Sequence, residues 1–254
     1  MRFRKGIFAL PSRAALWRWS FVLGVLLLLE GLLSLGWIKP FLFSKPSAII
    51  LLMIDELRSG DLLPMVVTTA YELAFSFLLA AVSGLVFGYL LWKMGIVGDA
   101  CEALLGALFG SPTILLYPIA LVLFGRNTWP VIFMSAALGF IPISIHTKVG
   151  LKGVQHLYLR VGRSFRLTRS QMIRKILVPA ALPTIFSGLK LGFTYCLISV
   201  TAMEYLVELG GVGKLVSQAY FRFQTVAMFM GMAVIVVLAV FFNYLMGKVE
   251  RQIQ

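Results

Sequence analysis

The chain has 254 residues, of which 60% are hydrophobic and 13% are charged, and its formal net charge is +13. The mean hydropathy of +0.94 is typical of polytopic helical membrane proteins and excludes an ordinary soluble domain. The positive charge does not indicate nucleic-acid binding, because the basic residues lie between apolar stretches, where positive-inside bias accounts for them. The two cysteines have no metal-like spacing and predict no metal site.

Six apolar segments long enough to cross a bilayer follow one another along the chain. Gly and Pro inside them do not exclude helices, since neighbouring groups in a membrane can satisfy a broken backbone. The segments are predicted at residues 20–38, 64–92, 100–124, 128–147, 184–207 and 225–246. The sequence therefore predicts an all-α polytopic membrane protein with six transmembrane helices. We divide it into a first region, 1–63, and a main region, 64–251.

The distribution of basic residues predicts how the chain is oriented. With both termini, the 93–99 turn, the 148–183 loop and the adjoining Lys190 on one side, that side holds 17 Lys or Arg, and the other side holds six. Positive charge concentrates on the cytoplasmic side of membrane proteins. We therefore expect both termini and the long loop to be cytoplasmic.

The 148–183 loop is the largest connection between apolar segments. Residues 160–183 read RVGRSFRLTRSQMIRKILVPAALP, with six Arg or Lys and no acid. Placing six such charges at the centre of a bilayer would cost roughly 15 to 20 kcal/mol, so this stretch lies outside the lipid. We expect two short helices at the membrane surface, with Pro179 ending or kinking the second.

The loop resembles a motif of the permease subunits of type I ABC importers. That motif is E-A-A, three residues, G, nine residues, I, one residue and L-P. With Arg160 at the Glu position, Val161 and Gly162 fall at the two Ala positions, Arg166 at Gly, Ile176 at Ile and Pro179 at Pro, without a gap. The Glu and Gly positions are both Arg here, which predicts an unusually acidic groove on the ATPase that receives the loop.

Four flanking stretches resemble the nitrate/sulfonate/taurine branch of the same family. They are SPTILLYPIALVLFG, FIPISIHTKVGLKGV, PAALPTIFSGLKLG and TAMEYLVELGGVGKLV. The resemblance covers roughly residues 64–251 and implies a six-helix type I importer permease (MetI-like) fold in the bacterial inner membrane. It also implies a homodimer, two copies of an ABC ATPase that bind ATP and Mg, and a periplasmic or lipid-anchored substrate-binding protein. Membrane lipids are expected contacts, and this chain itself is expected to hold no cofactor or metal.

The resemblance also predicts two sets of functional residues. The proposed ATPase-coupling residues are Arg160, Val161, Gly162, Arg163, Ser164, Phe165, Arg166, Leu167, Ile176 and Pro179. The proposed translocation-path residues are Glu72, Ser111, Pro112, Pro118, Met203 and Glu204, with the two prolines kinking the third span.

Acidic residues inside apolar segments are candidates for function, because burying them in a membrane is costly. Glu204 matches an acidic position of the family, whereas Glu72 stands where the branch often has Arg. Glu72 in the path would favour a neutral or cationic cargo over an anion, but a hydrogen bond to a neighbouring helix explains it equally well. A hydrogen bond to a neighbouring helix also explains Glu30, and Glu102 can lie at the cytoplasmic surface.

Other functions remain as alternatives. A proton-coupled carrier would use Glu72 or Glu204 as its proton site, and a scaffold would use the basic loop to dock a partner. LGGVGKLV is not a phosphate-binding loop, because Glu208 and Leu215 stand where Gly and Ser/Thr are required. Ser111 and His146 lie in no hydrolase motif, so no catalytic residue is predicted.

Overall fold

The computed structural model describes residues 13–39 and 41–253, and the regular elements within them are all helical. The all-α class predicted from the sequence is confirmed over this part of the chain. The helices in order are α1 (Arg13–Ser34), α2 (Pro46–Ser59), α3 (Leu62–Lys93), α4 (Ile96–Phe109), α5 (Tyr117–Phe124), α6 (Trp129–Lys152), α7 (His156–Ser164), α8 (Arg169–Met172), α9 (Val178–Val207), α10 (Gly211–Phe221) and α11 (Thr225–Ile253). A 3₁₀ turn, Thr113–Leu116, precedes α5, and a π turn, Ile173–Leu177, joins α8 to α9.

Four of the predicted spans correspond to helices long and apolar enough to cross a membrane. They are Leu62–Lys93, Trp129–Lys152, Arg169–Val207 and Thr225–Glu250. The third predicted span is a pair of helices bent by 81° between Phe109 and Thr113, and it adds a fifth if the pair is one span. The first predicted span corresponds to a shorter apolar stretch, Ser20–Ser34.

The bend in the third span differs from the one expected. The chain breaks at Gly110–Pro112, and Pro118 lies in the first turn of α5. Proline is tolerated in the first turn of a helix, because the N–H group that it lacks has no partner there in any case. Pro112 therefore lies at the break, whereas the prediction that Pro118 kinks a helix is wrong.

The core is built where α6 packs between α3 and α9. Leu73 and Ala80 of α3, Ile143 of α6, and Val200 and Met203 of α9 are buried in one apolar cluster. The helices approach closely at glycines: a Cβ on Gly88 would lie 2.5 Å from the Ser144 carbonyl oxygen. Because glycine has no side chain, it permits this close approach of two backbones, which is typical where membrane helices pack. The outward faces of α1 and α11 are apolar and exposed, as expected of surfaces that meet lipid.

The helix before α9 does not end at Pro179. The helical run from Arg169 to Val207 continues through Pro179, which occupies the first turn of α9 directly after the π turn. A π turn interrupts the regular α-helical hydrogen-bond ladder, and such an interruption is where a helix accommodates a proline. Of the two outcomes expected at Pro179, an end or a kink, the end of the helix is therefore wrong, and α8, the π turn and α9 form one continuous element.

Candidate functional site

The basic loop contains a short helix, α7, that packs on the π turn. A Cβ on Gly162 would lie 2.6 Å from Ile176 Cδ1 and 2.7 Å from Met172 Sδ. Leu159 also packs inward, against the cluster that includes Leu177. The inner face of α7 is therefore pressed against the base of α9, at two of the predicted coupling residues, Gly162 and Ile176.

The outer face of α7 carries an apolar stripe. Leu157, Val161 and Phe165 follow one another at intervals of four residues and are 62%, 45% and 76% exposed. Residues four apart lie on the same side of a helix, so these side chains form one continuous surface. Arg160 and Arg163 are also exposed. Within the described part of the chain, neither guanidinium takes part in a hydrogen bond or ion pair.

The helix ends in a left-handed turn at Arg166. The Arg166 N–H group donates to the Arg163 carbonyl at 2.9 Å, and the Leu167 N–H group donates to the Gly162 carbonyl at 3.1 Å. These two bonds define a Schellman motif, whose left-handed residue is usually glycine. Arg166 occupies that position with φ +51°. The backbone thus explains why the importer motif has Gly here, and it shows that Arg166 is strained.

The next helix, α8, begins three residues after Arg166, and Thr168 is its N-cap. Thr168 accepts a hydrogen bond from the Gln171 N–H group through Oγ1, and its own N–H group donates to Gln171 Oε1. This reciprocal pair is a capping box, which starts α8 at a defined residue. The turn between α7 and α8 is therefore held from both ends, and α7 keeps a fixed direction relative to α9.

Replacing Arg166 by glycine is expected to stabilise the turn. A left-handed residue with a Cβ costs roughly 1–2 kcal/mol relative to glycine, so local opening should become about 5–30 times rarer. Hydrogen–deuterium exchange of residues 162–168 measures this change. Arg163→Gly is the matched control, because it puts the same substitution inside α7, where glycine is unfavourable and should speed exchange. Faster exchange in Arg166→Gly would contradict the left-handed turn.

A second cluster brings together two buried carboxyl groups. Glu72 of α3 and Glu204 of α9 are each 1% exposed, and their carboxyl groups are neighbours. Among the described residues, none donates a hydrogen bond to Glu72 Oε2 or Glu204 Oε1. Glu72 therefore packs against a neighbouring helix, and both explanations of it, the path and the helix–helix hydrogen bond, stay predictions.

Glu204 and Thr69 also hold the start of α10. The Gly213 N–H group donates to Glu204 Oε2 at 2.8 Å, and the Val212 N–H group donates to Thr69 Oγ1 at 2.9 Å. The first N–H groups of a helix have no partner within the helix, so these side chains cap it. The first turn of α10 is therefore fastened to both α9 and α3.

The glycines of the LGGVGKLV stretch make this cap possible. Gly211 has φ +74°, and a Cβ on it would lie 1.9 Å from Glu204 Oε1. A Cβ on Gly213 would lie 2.5 Å from the Thr201 carbonyl oxygen. The two glycines therefore make room for the Glu204 carboxyl group and for the backbone of α9. This role agrees with the prediction that LGGVGKLV is not a phosphate-binding loop.

The predicted path residues fall into two groups in the structure. Glu72, Met203 and Glu204 are buried together between α3, α9 and α10. Ser111, Pro112 and Pro118 are exposed at the bend between α4 and α5. Neither Ser111 nor His146 takes part in a shared site. Ser111 donates to the Leu108 carbonyl, and His146 Nδ1 lies 2.9 Å from the Pro142 carbonyl oxygen.

One polar cluster was not anticipated from the sequence. Lys148 lies inside α6 and is 1% exposed, although it was assigned to the basic loop. Its Nζ atom lies 2.6 Å from Asp99 Oδ1 and 2.5 Å from Glu102 Oε2, while the exposed Lys152 reaches Asp99 at 2.9 Å. The spacing of Asp99 and Glu102, three residues apart on a helix, is the signal that could have suggested a shared cation.

Glu30 bonds a neighbouring helix, as one explanation from the sequence predicted, because it caps α2. It accepts hydrogen bonds from the Ser47 hydroxyl at 2.7 Å and from the Ser47 N–H group at 3.1 Å. Across the part of the chain that the structure describes, no group of three or more His, Cys, Asp or Glu side chains could hold a metal ion. The acidic residues at these positions therefore join helices to one another.

The comparisons with known proteins agree with this architecture. The family profile described as "Binding-protein-dependent transport system inner membrane component" matches residues 19–254. The chain is 29% identical over 149 residues to the nitrate import permease protein NrtB of Synechococcus elongatus, covering 59% of this chain and 53% of that protein. It is 26% identical over 220 residues to the putative aliphatic sulfonates transport permease protein SsuC of Bacillus subtilis, covering 87% and 80%.

A solved structure shares the fold. A chain of the MetNI methionine ABC transporter, in an inward-facing conformation, superposes with a TM-score of 0.66 at 21% identity, covering 78% of this chain and 99% of that one. The match to NrtB, in contrast, spans only about half the length of that relative.

Proposed function

Because the chain belongs to the family of binding-protein-dependent transport system inner membrane components, we propose that it is the transmembrane permease subunit of an ATP-driven importer. In this proposal a separate ATPase chain binds ATP and Mg, and this chain forms the route for the cargo. The family is one of transport proteins and not of enzymes. The observation that carries the proposal is the outer face of α7, which displays an apolar stripe beside unpaired arginines.

The α7 surface suits insertion into a groove of a partner protein. Phe165 at 76% exposure and Val161 at 45% offer apolar anchors, and Arg160 and Arg163 lie beside them. Helix-in-groove recognition uses such anchors, and aromatic and Arg side chains dominate the energy of many interfaces. The groove that accepts this helix should be apolar at its centre and acidic at its rim, because two motif positions are Arg.

The packing of α7 offers a route for mechanical coupling. At Gly162, α7 packs closely against the π turn, and the π turn continues into α9. Near the far end of α9, Glu204 caps the start of α10. A displacement of α7 would therefore move the continuous helical run from α8 to α9, whose far end is bonded to the start of α10. We propose that ATP binding shifts the population between two such arrangements, with α10 as part of the outer gate.

The assembly that we propose is a homodimer of this chain with two ATPase subunits and a periplasmic or lipid-anchored binding protein. The proposed location is the bacterial inner membrane, with both termini and α7 in the cytoplasm. Ser111, Pro112 and Pro118 stay path candidates because they are exposed at the bend. Glu72, Met203 and Glu204 can line a path only in a state in which α10 has moved, since here they are buried. Glu72 therefore gives no indication of the charge of the cargo.

The proposed function is tested by transport in liposomes that contain the full chain, its ATPase and its binding protein. We expect cargo accumulation that requires ATP and persists when an uncoupler removes the proton gradient. Uptake that an uncoupler abolishes and that ATP depletion leaves unchanged would instead establish a proton-coupled carrier. No uptake in either condition, with the ATPase bound, would support a scaffold.

The role of α7 is tested by reversing one charge. Arg160→Glu should lower uptake and ATPase stimulation at least tenfold, since placing like charges together at an interface costs several kcal/mol. Arg174→Glu is the matched control, with the same change at an exposed residue of the loop outside α7, and it should stay within about twofold. Reversing the charge of one acidic residue in the ATPase groove should restore uptake and ATPase stimulation in the Arg160→Glu variant. No rescue from any such pair would contradict the acidic groove.

A further inference from the structure

A cleft opens between the end of α3 and the base of α9. Its volume is about 580 Å³. One wall comes from the last residues of α3, and the other comes from α8 and the π turn. The lining residues are Tyr89, Trp92 and Lys93 on the first wall and Arg169, Met172, Ile173 and Leu177 on the second. The coupling proposal uses none of these seven side chains to contact the ATPase.

The cleft contains two cations with no counter-charge. Lys93 and Arg169 are exposed, and within the described residues neither side chain takes part in a hydrogen bond or an ion pair. There is no Asp or Glu between Glu102 and Glu204 in the sequence. The nearby acids Asp99 and Glu102 are already paired with Lys148. The cleft therefore presents uncompensated positive charge and is suited to an anion.

The other lining residues indicate that this positive charge lies at the boundary between lipid and water. Trp92 and Tyr89 lie in the last turn of the apolar helix α3, with ring centroids 5.8 Å apart. Aromatic side chains and Lys at the end of an apolar helix are typical of the membrane interface. Met172 and Ile173 add apolar surface to the opposite wall. A ligand here meets two exposed cations together with the aromatic and apolar side chains of the same lining.

We propose that this cleft binds one anionic phospholipid, with its phosphate between Lys93 and Arg169 and the start of its acyl chains against the aromatic and apolar lining. Clusters of basic residues at the cytoplasmic surface attract anionic lipids, with a gain of about fivefold in binding for each cation. A free phosphate would use the cations but not the apolar lining. The bound lipid braces α8 and the π turn against α3, next to the surface on which α7 rests. This inference needs neither the ATPase nor the binding protein, so it stands apart from the proposed function.

The test uses Trp92 as a probe, because it lines the cleft. The full chain with its other four tryptophans replaced by phenylalanine is placed in nanodiscs of phosphatidylcholine that contain a small fraction of brominated phosphatidylglycerol. Bromine quenches tryptophan fluorescence on contact. We expect stronger quenching than with the same fraction of brominated phosphatidylcholine. In the Lys93→Gln/Arg169→Gln variant the preference should fall by about 25-fold, since two cations are removed.

Three outcomes would overturn the proposal. Equal quenching by the two brominated lipids would show contact with lipid of no particular charge, and no quenching by either would show that protein covers the cleft. An equal loss of preference in Arg174→Gln/Lys175→Gln, which changes the same charge on exposed residues outside the cleft lining, would show a general surface effect. Reversal of the quenching by soluble glycerol phosphate would identify a phosphate site without acyl-chain recognition.

Discussion

Replacing Gly211 by alanine is expected to destabilise the protein by roughly 2–5 kcal/mol. The left-handed backbone at φ +74° accounts for about 1–2 kcal/mol of this cost. The rest arises because the new Cβ would lie 1.9 Å from Glu204 Oε1, which forces the carboxyl group away from the Gly213 N–H group. A buried donor that loses its partner costs about 1–3 kcal/mol. Thermal or denaturant unfolding in detergent measures the change.

Gly60→Ala is the matched control for this prediction. Gly60 ends α2 with φ +86°, and no atom lies within 4 Å of the position that its Cβ would occupy. Its substitution should cost only the backbone strain, about 1–2 kcal/mol. Equal destabilisation by the two variants would show that the contact between Glu204 and the α10 cap contributes nothing to stability.

The second large effect is expected when Lys148 loses both of its acidic partners. The Asp99→Asn/Glu102→Gln variant leaves the Lys148 ammonium buried in α6 without a counter-charge. An uncompensated buried charge costs roughly 3–5 kcal/mol. Because Asp99 and Glu102 lie in α4, the loss should also release α4 from α6, which would appear as faster hydrogen exchange over Ile96–Phe109.

Two further variants separate the buried charge from other causes. Adding Lys148→Met to the double variant removes the unpaired charge and should recover most of the stability, because apolar replacement of a buried ion cluster is often neutral. Lys152→Gln, which removes an exposed cation that also pairs with Asp99, should cost less than about 1 kcal/mol. A triple variant no more stable than the double would contradict this explanation.

Much of the architecture follows from local sequence patterns. The predicted spans 64–92, 128–147, 184–207 and 225–246 all correspond to long apolar helices, because a bilayer-length apolar run leaves few alternatives to a helix. The family was also evident from the spacing of the motif in the basic loop, which the family profile confirms. Such patterns depend on neighbours along the chain and can be seen without the fold.

The errors occur where distant residues meet. Lys148 was assigned to the basic loop because its Asp and Glu partners are 46 or more residues away in the sequence. Pro179 was expected to end or kink a helix, and it does not end one, because the sequence does not show the π turn that precedes it. Glu72 could be weighed only as a path residue or a helix contact until the structure placed it beside Glu204.

The sequence by itself determined that this is a helical membrane protein of the importer permease family, with a basic loop outside the lipid, since hydropathy, charge and motif spacing are properties of the linear chain. Only the tertiary structure decided which acids join helices, why Gly211 and Gly162 must be small, and that the outer face of α7 is left free. The physical reason is that hydrogen bonds, ion pairs and close packing depend on distances between groups far apart in sequence, and those distances exist only once the helices have packed.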